Sequence, residues 1–91
     1  MKKQSIEKLR SEIDQIDEQI IKSLSNRMEK VKEIGELKTK QNLSKLDTKR
    51  FHELLKNRIE IAEKFNLSKK MITKIWNLIH DEALKIEKYV K

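Results

Sequence analysis

The chain carries 22 basic residues, and only four of them are arginine: Arg10, Arg27, Arg50 and Arg58. In so lysine-biased a sequence there are two readings: the four Arg occur by chance, or they mark positions where a planar guanidinium, able to grip a carboxylate with two parallel hydrogen bonds, is needed. Arg27 sits between Leu24 and Val31 on an apolar stripe, and Lys38 follows Ile34 on it. They are three helical turns apart, so both project from one face about 16 Å from each other. Burying unpaired cations is costly. Either an anion meets them, or a Glu from another helix does, or both snorkel at the stripe's edge. Arg10 lies about 100° round the helix from Arg27 and about 25 Å away, so one small anion cannot touch both within a single helix. If the two act together, Arg10 does so across a dimer; the plain alternative is an exposed surface arginine.

Other polar residues carry weaker signals. Asp47 and Arg50 open a second helix, where an Asp ordinarily caps and an Arg three residues on is its exposed partner. Glu87 flanks Ile86 and Val90 at the edge of a third stripe, a place that suits a solvent-facing carboxylate as readily as an active one. His52 and His80 are isolated, with no paired-ligand spacing, so no metal site is expected. Asp14 with Asp17, and Asp81 with Glu82, read as solvated faces, whereas Trp76 and Phe65 have core spacing. The lysines at 64, 69, 70 and 74 form a basic patch without interleaved aromatics, a poor sign of nucleic-acid binding.

The elements that position these residues are helical. The 91 residues are 36% hydrophobic and 41% charged, with one Gly, no Pro and no Cys. Such a chain lacks the turn residues of a sandwich, barrel or βαβ repeat, and the glycines of a dinucleotide or phosphate loop. It has no disulfide, thiolate metal site or cysteine nucleophile. No apolar run exceeds two residues, which rules out a membrane-spanning helix, and no apolar segment follows the basic Met1-Lys2-Lys3-Gln4-Ser5 start, which predicts no signal peptide and a cytoplasmic protein. The net charge of +7 favours anionic partners.

Apolar residues at steps of three and four from Ile6 through Leu37 predict one amphipathic helix from Ser5 to about Gln41, with Ser5 as N-cap. It would be roughly 55 Å long, too long for a compact monomer about 30 Å across, so the chain is expected to dimerise through it. Residues 41–46 read as a loop. Asp47 or Thr48 caps a second helix with the stripe Phe51, Leu54, Leu55, Ile59, Ala62 and Phe65. Asn66-Leu67-Ser68 is a turn, with Asn66 suited to a left-handed conformation and Ser68 to a cap. The third helix starts near Lys69, with Ile72, Ile75, Trp76, Ile79, Ala83, Ile86 and Val90 on its stripe. The expected architecture is all-α and a single domain over 1–91, with long, short and medium helices.

Taken together, these positions resemble the all-helical, dimeric class of chorismate mutase over nearly the whole chain. The resemblance rests on Leu9-Arg10, Ile13-Asp14, Ile16-Asp17, Ile20, Arg27, Val31, Ile34-Gly35 and Lys38, followed by Asp47, Arg50 and Glu87. It implies an intertwined homodimer of three helices per chain, without cofactor or metal, in which each site takes one Arg from the partner. By this resemblance Arg10 of one chain and Arg27 of the other grip the carboxylates of chorismate. Lys38 reaches a carboxylate and the ether oxygen, Asp47 the ring hydroxyl, Arg50 the ring-side carboxylate region, and Glu87 the ether oxygen. The family commonly has Glu where this chain has Phe51 and Ser or Thr where it has Ala83; Glu87 stands where Gln is more usual.

The implied reaction is the pericyclic rearrangement of chorismate to prephenate, in the biosynthesis of aromatic amino acids. It needs no nucleophile or proton relay, only a dianion held folded and charge stabilised on the breaking ether oxygen. Two alternatives stand beside it. An isochorismate-pyruvate lyase on the same fold would use the same clamp, and Phe51 suits it. A basic helical module binding nucleic acid or protein is disfavoured by the evenly mixed charges of the first helix, ten basic against eight acidic through Asn42. No nucleic-acid or membrane partner is expected.

Overall fold

The computed structural model describes residues 5–44 and 46–89. Met1 to Gln4, Lys45 of the expected loop, and Val90 of the third stripe lie outside them. The described residues form three α-helices, α1 (Ile6–Lys40), α2 (Thr48–Lys64) and α3 (Lys69–Lys88), with no strand among them. The long, short, medium order is the expected one. No helix of the described residues is long and apolar enough to cross a membrane. The chain divides into two compact units, Met1–Lys30 and Val31–Lys91.

Each helix begins where its capping residue dictates. A serine, threonine or aspartate just outside a helix accepts a hydrogen bond from one of the four N–H groups that lack a partner inside it. Ser5 Oγ accepts from the Lys8 N–H at 3.1 Å, Asp47 Oδ1 from the Arg50 N–H at 2.9 Å, and Ser68 Oγ from the Met71 N–H at 3.0 Å. All three caps match the expectation.

Two of the helices end alike. After α1, Asn42 takes φ 56°, the Leu43 N–H donates to the Lys38 carbonyl at 2.8 Å and the Asn42 N–H to the Thr39 carbonyl at 3.3 Å. After α2, Asn66 takes φ 59°, while Leu67 and Asn66 donate to the Ala62 and Glu63 carbonyls at 2.9 and 3.2 Å. Both are Schellman closures with asparagine at the left-handed position usually held by glycine. The left-handed Asn66 was expected. Asn42, read only as loop, makes the same turn and ties down the backbone of Lys38.

The second unit has a small core. Val31, Leu54, Ala62, Ile72 and Ile79 are buried, so α2 and α3 face each other along the 54–62 and 72–79 lines. Two expectations need correction. Phe65 is 71% exposed, because it is the residue at which α2 stops and its side chain is carried past the α2–α3 contact. On the C-terminal part of α1 the buried line runs through Val31 and Gly35, while Ile34 and Leu37 are exposed. The inward face is thus rotated by about one residue from the bulkiest stripe.

In the first unit the apolar stripe of α1 is open. Ile6, Leu9, Ile13, Ile16 and Ile20 are all exposed, and Leu24 and Met28 half-buried. The facing Glu18–Lys22 ion pair, at 3.5 Å, is solvated on both sides and contributes little. A further feature concerns charge. Neither α2 nor α3 has an acidic residue in its first turn; Lys49 and Arg50 open one, and Lys69 and Lys70 the other. These cations stand at the positive end of the helix dipole, the unfavourable end for them.

Candidate active site

The buried line of α1 continues through Val31 and Gly35 to Lys38, which is three residues beyond Gly35 and therefore on the same face. The Lys38 backbone carbonyl is held by the closure at Leu43. Its Nζ lies 3.5 Å from Glu87 Oε2. The two side chains retain only 21% and 9% of their exposure. Of the possibilities for Lys38 left open by the sequence, a carboxylate from another helix is the one realised.

Glu87 is the one buried charged residue among those described. It lies in the last turn of α3, where helical spacing aligns it with Ala83 and His80. An internal carboxylate persists only with a partner, and here that partner is a primary ammonium with three donors, able to serve a carboxylate and a second acceptor together. When ionised, Glu87 can only accept a hydrogen bond; once protonated, it can also donate one.

The remaining expected residues fall into two groups. Asp47 and Arg50 share the N-terminus of α2, joined by the cap rather than by their side chains, and both are exposed. Arg10 and Arg27 belong to the first unit; Arg10 is exposed and Arg27 half-buried on α1. The fourth arginine, Arg58, donates to Asn57 Oδ1 at 2.6 Å.

One pairing was not anticipated. The Phe51 and His80 rings stack with centroids 3.9 Å apart and planes 15° apart, joining the start of α2 to the face of α3 that carries Glu87. Both residues are half-buried. No local signal announces a contact between residues so far apart in sequence. The isolation that excluded His80 as a metal ligand says nothing of ring stacking.

The sequence also matches proteins of known family. The sequence model of the family described as chorismate mutase type II matches residues 9–88. Two curated relatives are bifunctional chorismate mutase/prephenate dehydratases of Buchnera aphidicola. The protein of subspecies Acyrthosiphon pisum is 33% identical over 79 residues, covering 87% of this chain and 20% of its own length. That of subspecies Schizaphis graminum is 35% identical over 79 residues, with the same coverage. The chain thus spans about one fifth of the length of the curated relatives it matches. No solved structure matches it. The described residues form three helices and no strand, as the helical class of mutase requires. The chain belongs to the chorismate mutase type II family.

Proposed function

We propose that this chain is an isomerase that converts chorismate to prephenate, and that it does so as a homodimer in the cytoplasm, as one domain over 1–91. The observation that carries this reading is the Lys38–Glu87 pair, a strong hydrogen-bond donor beside a carboxyl, the two groups that assisted cleavage of an ether bond would use. In the rearrangement the ether C–O bond breaks as a C–C bond forms. Electron density accumulates on the departing oxygen, so donors already in place lower the barrier without reorganising. Lys38 donates to that oxygen and to a carboxylate, and protonated Glu87 donates from the other side.

Arg27 grips a carboxylate of the folded substrate, Arg10 reaches over from the partner subunit, and Asp47 and Arg50 contact the ring end. Holding the dianion in its compact conformer is the other part of the task. The open face of α1 supports the dimer: a stripe from Ile6 to Ile20 exposed to this degree calls for cover, which a second copy of the same stripe would supply.

The test is incubation of purified protein with chorismate, following the loss of its absorbance and the appearance of prephenate, with Arg27→Ala as control. No loss of chorismate, or an undiminished Arg27→Ala, overturns the reading. The lyase alternative, kept open by Phe51 in place of an acidic residue, is tested with isochorismate, from which it would release pyruvate and salicylate.

A further inference from the structure

Along the α3 face that carries Glu87, the residues are His80, then Ala83, then Glu87, spanning about 10 Å of axis over nearly two whole turns. That is the scale of a small cyclic substrate. At one end is the Lys38–Glu87 pair, and at the other the His80 imidazole, stacked on Phe51, which follows Arg50 in the sequence. Ala83, between them, is small. Neither Phe51 nor Ala83 has a side chain that can hydrogen-bond. Of His80, Phe51 and Ala83, His80 is the one that can.

Stacking commits the face of the imidazole and leaves its two nitrogens at the ring edge. Those nitrogens make no hydrogen bond to the described residues. At least one of them carries a proton in either protonation state, so a donor is always present. The Phe51 ring limits how the imidazole can turn, which lowers the entropy lost when a ligand engages it.

We infer that His80 is a substrate-binding residue, donating a hydrogen bond to a carboxylate oxygen of the bound dianion, with Phe51 as the surface that orients it. This inference rests on the proposed mutase reading. It assigns His80 to binding rather than to the chemical step, since it stands two turns from the Lys38–Glu87 end.

The test uses His80→Phe, which keeps a ring stacked on Phe51 but removes both nitrogens, and His80→Gln, which keeps a donor but removes the ring. With chorismate, His80→Phe is expected to raise KM about tenfold, equivalent to about 1.4 kcal/mol, with kcat within about twofold of wild type. His80→Gln is expected to recover most of that KM. If His80→Phe has the wild-type KM, or His80→Gln binds no better than His80→Phe, the assignment is wrong and the stack is only packing. Should His80→Phe not fold, a His80→Gln KM raised tenfold or more overturns the assignment, and one near wild type upholds it. A wild-type protein that leaves chorismate unchanged overturns the mutase reading instead, a result distinct from any of these.

Discussion

Lys38 Nζ, at the end of α1, and Glu87 Oε2, in the last turn of α3, lie 3.5 Å apart in a largely buried setting. The pair has a structural and a chemical consequence. Structurally, it joins the end of one helix to the end of another, and removing either member strands the other away from water. Chemically, it keeps the lysine ammonium and the carboxyl within reach of a common third atom.

The first prediction concerns pH. An ionised Glu87 cannot donate to the ether oxygen; a protonated one can. Because only the protonated carboxyl can donate, mutase kcat/KM is expected to be higher in acid than in base. The amide of Glu87→Gln donates at every pH, so its profile should be flat over the same range. Identical wild-type and variant profiles would remove Glu87 from the reaction.

Arg27→Ala should lower kcat/KM by about 10²–10³, the scale of losing one preorganised charged donor in a closed site. Arg27→Lys should recover only part of this, because a single ammonium cannot make the paired contact of a guanidinium. Steady-state kinetics beside circular dichroism separates this loss from unfolding.

A shared site has a mixing signature. If Arg10 serves the partner's site, Arg10→Ala and Arg27→Ala are each nearly inactive as homodimers. Refolded together in equal amounts, they should regain about one quarter of wild-type activity, since half of the dimers would be mixed and each mixed dimer has one complete site of two. Activity no higher than that of the parents means that Arg10 works within its own chain or not at all.

Asp47 has a structural duty that is separable from binding. Loss of its hydrogen bond to the Arg50 N–H in Asp47→Ala is expected to cost about 1 kcal/mol, lowering Tm by roughly 4–8 °C for a domain of this size. Asp47→Asn keeps a capping oxygen and should hold Tm near wild type. Any loss of activity in Asp47→Asn then reports on the carboxylate's contact with substrate, read from KM.

Much of this architecture was legible because its causes are local. Ser5, Asp47 and Ser68 cap by side-chain chemistry that depends on a few neighbouring residues, and steps of three and four define an amphipathic helix wherever they occur. What was not legible depends on distant partners. The periodicity of α1 could not choose between Ile34 and Gly35 as the inward residue, because glycine adds nothing to a hydrophobic pattern even when it is buried. Phe65 has core spacing yet protrudes, since spacing does not reveal where the opposing helix begins. The turn at Asn42 was hidden because asparagine is a weaker signal of a left-handed residue than glycine. At the site, Lys38 was legible as a cation on an apolar face, but Glu87 as its partner and His80 against Phe51 arise only when α3 packs.

The cations crowded into the first turns of α2 and α3 have a practical consequence. Lys49 with Arg50, and Lys69 with Lys70, repel each other within their pairs and are repelled by the helix ends they stand on, so dissolved ions relieve the folded chain by screening that repulsion. The same ions would weaken the pull on the doubly negative substrate proposed for it. Salt thus steadies the scaffold while loosening its grip, and the ionic strength giving fastest turnover lies below the one giving longest shelf life.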